Sequence, residues 1–302
     1  MYHYIRSYDK NFPYFNFLDF DDFKKQINFF IKQKKFVDLN SNINNEYNKN
    51  RFLLTFDDGF KEHLKVAKYL KERSIMGFFF IPGMQIEKKD FLPIHKIHLI
   101  FGKFNSIELI NIFKKFKINI DFKKNIFFIF KKQKKFLIQN KKENNIKVYL
   151  KTILNNVDQK DSKVVNNIFD YCFAKRDQAK IFKNFYLNSS DILSLHKLGM
   201  KIGGHSYNHK VLSKLTYREQ KKEISKSLEI LSKIIKSKIR YFCIPYGGFK
   251  VFNRQTIGIL REREIELSFN VESKNWSKKS NKLFIPRFDC NEFKFGKIFK
   301  YK

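Results

Sequence analysis

Two histidines stand four residues apart in the segment Gly203–His209, which follows a short apolar stretch. Histidines four apart on a helical turn face the same way, so His205 and His209 could both reach one metal ion. The chemistry that this pair offers is metal binding. Two ordinary surface histidines are the alternative explanation, and the spacing alone is a weak signal.

Two adjacent carboxylates, Asp57 and Asp58, close the apolar run Arg51–Phe56 and precede a glycine. If that run is a parallel strand, both carboxylates lie at its C-terminal end, where α/β folds build their active sites. A plain Asp-Gly turn is the alternative, and the pair taken by itself favours it. A third segment, Phe242–Gly248, is typical of a strand that enters a rigid turn, which is also a common structural device.

The elements that must position these residues follow from the hydrophobic pattern. Short apolar runs that suit buried strands cover residues 2–5, 51–56, 76–81 and 240–244. One helix is predicted behind Asp19 to Asp22 and another behind the capping box Thr216–Glu219. Their apolar faces comprise Phe20, Phe23, Ile27, Phe30 and Ile31 in the first, and Ile224, Leu228, Leu231 and Ile235 in the second. This alternation predicts parallel strands covered by helices, in an α/β barrel or layered sheet.

Residues 87–189 interrupt the alternation with lysine pairs, phenylalanines and asparagines, and Ile97–Phe101 is their last run that suits a strand. Within 101–160, fifteen lysines stand against four acidic residues. The segment also carries many Phe, Ile and Leu side chains that need burial. We therefore expect a mainly helical insertion over one end of the core rather than a disordered basic loop.

Composition excludes several classes of protein. The 302 residues include 62 Lys and Arg against 29 Asp and Glu, a formal charge of +33, but 37 Phe and 14 Tyr argue against disorder. Three widely spaced cysteines exclude a disulfide framework and an all-cysteine zinc site. No segment has the roughly 20 apolar residues that span a bilayer, and no signal peptide is evident, so a cytoplasmic protein is expected.

The positive charge raises the question of an anionic partner. No helix-turn-helix, zinc finger or RNA-binding signature accompanies the lysines, which argues against nucleic acid. An AT-rich coding sequence also explains the joint abundance of Lys, Asn, Ile, Phe and Tyr. Peripheral contact with anionic lipid headgroups at the inner membrane surface stays open as an alternative.

Three motifs in this order resemble the polysaccharide deacetylase family, the NodB-homology enzymes of carbohydrate esterase family 4. Thr55–Gly59 is identical to the first motif of the family, and His205–His209 fits its His-Ser/Thr-x-x-His pattern. Pro245–Gly247 fits the third motif, and the opening Tyr2–Ile5 is similar to the first strand of many members. The resemblance covers roughly residues 1–86 and 190–290, and the ordered combination is far more specific than any one motif.

The resemblance implies a distorted (β/α) barrel and one divalent metal, commonly zinc, held by Asp58, His205 and His209. Three protein ligands with an open position suit a hydrolytic metal, and Co, Ni and Mn are chemically admissible beside Zn. The family also implies that Asp57 is the general base. In the third motif, Pro245–Gly247, the backbone N–H of Tyr246 would face the oxyanion of the substrate.

The chain departs from the family at two positions. The arginine that orients the base in many members is replaced by Cys243, and Arg287 in Ile285–Asp289 is a candidate substitute. A surface Arg-Asp pair is the alternative interpretation of Arg287. The usual C-terminal histidine, a general acid, is also absent, because no histidine follows His209.

A substitute acid must come from the remaining histidines, which are His3, His63, His95, His98 and His196. His3 has the best claim because it lies on the predicted first strand. His95 and His98 open the insertion, where they could fold over the site, whereas His63 and His196 suit structural or exposed positions on helices. Water, or Asp57 itself, is a further source of the proton.

These observations predict a NodB-type barrel formed by residues 1–86 and 190–302, with residues 87–189 as a basic, mainly helical insertion. The predicted activity is metal-dependent removal of an N-acetyl, or N-formyl, group from an amino sugar. The expected substrate is a surface glycan or lipopolysaccharide precursor, presented as a nucleotide sugar or a lipid-linked glycan. A catalytically impaired glycan-binding module is the alternative, and an anion or nucleic-acid binder is the third hypothesis.

Overall fold

The computed structural model describes residues 1–33, 36–37, 51–120, 145–276 and 281–296. The strands are β1 Leu54–Phe56, β2 Gly77–Ile81, β3 Lys201–Gly204, β4 Tyr241–Cys243 and β5 Leu267–Phe269. The helices up to residue 160 are α1 Phe20–Gln33, α2 His63–Lys71, α3 Met84–Glu87, α4 Pro93–Lys103, α5 Ser106–Lys115 and α6 Asn145–Lys160. The later helices are α7 Ser162–Cys172, α8 Lys175–Phe185, α9 Ser189–Lys197, α10 Tyr217–Ile235 and α11 Arg254–Glu262. Among these helices, none is long and apolar enough to cross a membrane.

The five strands form one parallel sheet in the order β1-β2-β3-β4-β5, so each strand pairs with the next described strand along the chain. Single parallel bridges extend both edges, from Tyr2 to Phe56 and from Phe269 to Ile285. The predicted α/β barrel of the NodB-homology type is confirmed as a parallel half-barrel with helices. Because all strands run the same way, their C-terminal ends share one edge of the sheet.

Aromatic side chains fill the core of the sheet. Every residue of β2 is buried, and the ring of Phe79 stacks on Phe56 with centroids 4.7 Å apart. The ring of Phe269 in β5 packs against the rings of Phe78 and Phe80, with centroids 5.5 and 5.3 Å apart. Gly203 in β3 is required by this packing, because a Cβ there would lie 2.5 Å from the Phe80 ring.

Both predicted amphipathic helices are present. In α10 the capping box between Thr216 and Glu219 forms, and its whole predicted apolar face is buried. In α1 the residues Phe23, Ile27 and Phe30 are buried, but Ile31 is 48% exposed, so its assignment to the core face was wrong. Ile31 lies at the edge of this face, because at about 100° per residue it is roughly 80° around the helix from Phe23 and 100° from Phe30.

Two predicted strands differ from the structure. The segment 2–5 forms only isolated bridges, at Tyr2 and at Ile5, rather than a continuous strand. The run Ile97–Phe101 lies inside helix α4, which starts at Pro93. A short apolar run does not distinguish a strand from a buried helix, and proline at the first helical position favours the helix.

The chain divides into two compact units. The first comprises Met1–Ile5, Phe23–Asp90 and Phe182–Cys290, and it holds the sheet. The second comprises Arg6–Asp22, Phe91–Ile181 and Asn291–Lys302, and α4 to α7 lie in it. The second unit has a core of its own. In it the ring of Phe169 packs against the rings of Phe91 and Phe173, with centroids 5.2 and 4.8 Å apart. Residues 121–144 of the predicted basic insertion lie outside the described residues, and the boundaries at 86 and 190 stay a prediction.

Candidate active site

The two adjacent carboxylates lie on a sharp turn directly after β1. The N–H of Asp57 donates to the carbonyl of Tyr2, and both Asp58 and Gly59 have positive φ, 73° and 64°. A Cβ at Gly59 would lie 2.8 Å from Nε2 of Gln85, which donates to the carbonyl of Asp58 at 3.0 Å. The Asp-Gly turn is therefore real, and it holds two carboxylates at the C-terminal edge of the sheet.

The two histidines lie on a loop after β3 rather than on a helical turn, which corrects the expectation from their spacing. Ser206 and His209 both have positive φ, 57° and 56°. Left-handed residues bend the chain tightly, so both imidazoles face the same point without helical periodicity. Both histidines are buried.

Three potential ligand atoms converge at this point. Oδ1 of Asp58 lies 3.5 Å from Nε2 of His205 and 3.5 Å from Nε2 of His209, and the two nitrogens are 3.2 Å apart. Ligands about 2.0–2.2 Å from a tetrahedral ion are separated from each other by about 3.3–3.6 Å. The triangle of donors therefore fits one Zn²⁺-sized cation, with a fourth coordination position left for a small ligand.

A hydrogen bond fixes the orientation and tautomer of His205. Its Nδ1 lies 2.8 Å from the carbonyl oxygen of Cys243, which can only accept, so Nδ1 carries the proton. Nε2 is then free to present its lone pair to a cation. Burial lowers the pKa of His205, which favours the neutral ring that metal binding requires.

Asp57 is held by a buried guanidinium. Nη1 and Nη2 of Arg287 donate to Oδ1 and Oδ2 of Asp57, both at 2.8 Å. Arg287 also donates to Oγ1 of Thr55 at 2.9 Å and to the carbonyl of Asn270 at 3.1 Å. Because Arg287 is only 6% exposed, the alternative of a surface Arg-Asp pair is wrong.

The environment of Asp57 keeps it ionised. Burial by itself raises the pKa of the Asp57 carboxyl, but the charge and hydrogen bonds of Arg287 more than offset this and hold the pKa below its usual range. Cys243 lies in the same cluster, with its Sγ 3.0 Å from Nη2 of Arg287 and 3.6 Å from Oδ2 of Asp57. Asp57, His205 and Cys243 also form a possible ligand group. We favour Asp58, His205 and His209, because burial raises the pKa of the Cys243 thiol and Arg287 already engages Asp57.

Of the histidines considered as acids, His3 lies beside the carboxylate pair. Its Nε2 is 3.9 Å from Oδ2 of Asp57, and its side chain is 40% exposed. Nε2 of His63 bonds to the backbone carbonyl of His3 at 2.8 Å, and burial lowers the pKa of His63 to about 4. His196 is exposed on α9, whereas His95 and His98 lie on α4.

The third motif forms a left-handed turn beside the histidines. Tyr246, Gly247 and Gly248 have φ of 65°, 71° and 85°. The ring of Tyr246 lies 4.7 Å from that of His209 and is half exposed. A Cβ at Gly247 would lie 2.1 Å from Cβ of Val271, so this position accommodates only glycine. Pro245 precedes this turn without a cis peptide bond.

Sequence reasoning missed Glu223, a buried carboxylate on α10 that accepts hydrogen bonds from the loop between the two histidines. A signal for it exists. Glu223 directly precedes Ile224 on the apolar side of α10, and a charged residue on a buried face needs a polar partner.

Comparisons with known proteins agree with this fold and with two of the three motifs. Residues 140–268 match the sequence model of the polysaccharide deacetylase family. The match includes the histidine motif and the third motif, whereas the carboxylate pair lies before it. An uncharacterized protein, YlxY of Bacillus subtilis, is 32% identical over 83 residues, which are 27% of this chain. The chain thus matches about a quarter of the length of that relative (25%).

Solved structures of similar fold cover nearly the whole chain. The Streptococcus pyogenes deacetylase PplD, solved in complex with acetate, matches with a TM-score of 0.55 at 13% identity and covers 95% of this chain and 88% of its own. IcaB from Ammonifex degensii matches with a TM-score of 0.54 at 15% identity and covers 96% and 91%. At these identities the likeness establishes the fold.

Proposed function

We propose that this chain is a member of the polysaccharide deacetylase family, whose sequence model matches residues 140–268, and that it is a metal-dependent hydrolase that removes the N-acetyl group of an amino sugar within a glycan. One observation carries the proposal. The ligand atoms of Asp58, His205 and His209 converge within 3.5 Å of one another, beside a second carboxylate that a buried arginine holds.

Asp58, His205 and His209 would hold the divalent ion in the proposed site. When bound there, the ion would supply Lewis acidity to the acyl carbonyl and lower the pKa of the attacking water. We propose Zn²⁺ because two imidazoles and one carboxylate are a common catalytic zinc donor set. Co, Ni and Mn are also chemically admissible and belong in the same test.

We propose the remaining roles for side-chain and backbone groups around the triangle of donors. Asp57 would accept the proton of the attacking water, and Arg287 would keep its carboxylate oriented and ionised. His3, which is partly exposed 3.9 Å from Asp57, would donate a proton to the departing amine. The backbone N–H of Tyr246, within the turn Pro245–Gly247, would stabilise the oxyanion of the substrate.

The proposed substrate is a surface glycan or lipopolysaccharide precursor that carries N-acetyl or N-formyl amino sugars. The formal charge of +33 supports a substrate or surface with anionic groups, such as a nucleotide sugar or a lipid-linked glycan. A panel that contrasts neutral N-acetylglucosamine oligosaccharides with nucleotide-linked and lipid-linked forms distinguishes these substrates.

The test is acetate release by the purified chain after chelator treatment and return of one metal at a time. We expect release only with metal, and its loss in Asp57→Asn. The control Glu72→Gln removes a carboxylate whose side chain is 71% exposed and should keep full activity. Glycan affinity without turnover in wild type and Asp57→Asn alike would instead identify a binding module. Salt-dependent anion binding that ignores chelators would identify an anion binder.

A further inference from the structure

The loop between the two histidines is built around one carboxylate. The backbone N–H groups of Tyr207 and Asn208 both donate to Oε2 of Glu223, at 3.1 and 2.7 Å. The side-chain amide of Asn208 donates to Oε1 of the same residue at 2.5 Å. Successive N–H groups that follow a left-handed residue, here Ser206, form a concave anion-binding nest. This nest is filled by a side chain of the protein itself.

The opposite side of the loop is held by backbone groups. The N–H of Gly83 donates to the carbonyl of Ser206 at 3.1 Å, and the N–H of Met84 donates to the carbonyl of Tyr207 at 2.9 Å. A Cβ at Gly83 would lie 2.9 Å from the Tyr207 ring, so the two segments approach closely. The carbonyls of the loop are thus fixed by the segment after β2, and its N–H groups are fixed by Glu223.

The two histidines differ in their other restraints. His205 directly follows β3, and the carbonyl of Cys243 orients its ring at 2.8 Å. His209 follows Asn208, the residue that makes two of the three hydrogen bonds to Glu223. A change in the path of the loop therefore moves His209 more than His205.

We propose that Glu223 is a positioning residue that sets the separation of the His205 and His209 nitrogens for metal binding. Its hydrogen bonds come from Tyr207 and Asn208, so it acts on the two histidines through the loop between them. This inference rests on the proposed metal site. It adds that the affinity of that site depends on Glu223 of α10, which is only 6% exposed and lies outside the three motifs described above.

The test exchanges the two hydrogen-bonding partners. In Glu223→Gln, the Gln carbonyl can still accept from the backbone N–H groups, but its amide faces the amide of Asn208, donor against donor. In Asn208→Asp, two carboxylates face each other. In the double variant, the Gln amide donates to the Asp carboxylate, so all three hydrogen bonds are possible again.

The measurement is Zn²⁺ titration calorimetry on the metal-free full chain, with a thermal unfolding curve for each variant. We expect each single variant to bind Zn²⁺ about 10- to 100-fold more weakly than wild type, as for other residues that orient metal ligands. The double variant should return to within about threefold of wild type. Glu229→Gln, on the same helix with a 61% exposed side chain, should bind as wild type does.

Two results separate the inference from the proposed function. If wild type binds no stoichiometric Zn²⁺ at the His205 site, the proposed metal centre is wrong and the inference falls with it. If wild type binds Zn²⁺ and Glu223→Gln binds equally well, only the positioning role is overturned. Folded single variants that bind weakly, together with a double variant that binds no better, also overturn it.

If Glu223→Gln does not fold, Asn208→Ala is the alternative variant, because it removes only the side-chain hydrogen bond to Glu223. We expect Asn208→Ala to weaken Zn²⁺ binding several-fold, and unchanged binding would count against the positioning role.

Discussion

Replacing Arg287 by methionine tests the central electrostatic feature of the site. Methionine retains an unbranched aliphatic stem at this position. It lacks the guanidinium, which donates two hydrogen bonds of 2.8 Å to Asp57. Asp57 is 2% exposed, so water cannot replace those donors without local opening. The variant therefore leaves a buried carboxylate without its cation.

The expected loss is about 3–5 kcal/mol in the free energy of unfolding at pH 7, the usual effect of removing one partner of a buried ion pair. The double variant Asp57→Asn with Arg287→Met should lose less than the sum of the single variants, by about 1–3 kcal/mol, because no charge is then left buried. Urea unfolding followed by circular dichroism measures both quantities.

The loss should also depend on pH, with a sign that follows from the pKa of Asp57. In wild type this pKa is lowered below its unfolded value of about 3.9, so the pair stabilises the fold above that pH and less so as pH falls through the folded pKa. Without Arg287, burial raises the pKa of Asp57, and protonation relieves the variant as pH falls. The difference between the two proteins should therefore be largest at pH 7 and should shrink toward pH 4.5.

Two outcomes would refute this reasoning. A loss below about 1 kcal/mol at pH 7 would mean that the pair is not the buried ion pair the structure describes. A loss that stays constant between pH 7 and pH 4.5 would mean that it arises from packing rather than from the charge of Asp57. The matched control is Arg73→Met, which removes an arginine whose side chain is 35% exposed and should change stability by at most about 1 kcal/mol.

Three further predictions concern the donors, the acid and the third motif. His209→Ala should lower the Zn content of dialysed protein from one ion per chain to none, and retained stoichiometric Zn would contradict the ligand set. His3→Gln should lower kcat by about 10²–10⁴-fold with unchanged Zn content, and an unchanged kcat would exclude His3 as the acid. Gly247→Ala should lose about 2–4 kcal/mol of stability, because the new methyl overlaps Val271 at a φ of 71°. Its control Gly258→Ala, within α11 and with open space around it, should be neutral or stabilising by up to about 1 kcal/mol.

Local patterns were predicted well where one element decides burial. The face of α10 that contains Leu228 and Leu231 is buried as its 3.6-residue period predicts, and the Thr216 capping box forms. The run Ile97–Phe101 was misassigned, because five apolar residues suit a buried helix as well as a strand. The four-residue spacing of His205 and His209 correctly predicted that their rings lie close together. The predicted helical turn is wrong, because residues with left-handed backbone conformation bring the rings together.

The sequence by itself determined the motif set, the family resemblance and the parallel α/β class, because each depends on neighbours within a few residues or on the order of short motifs. Only the tertiary structure decided which partners those motifs have. Arg287 stands 230 residues after Asp57, and no local pattern relates the two positions before the strands align. The same holds for His3, whose Nε2 lies 3.9 Å from Oδ2 of Asp57. These contacts arise because parallel strands bring distant chain segments to one sheet edge, where burial makes each charge require a specific partner.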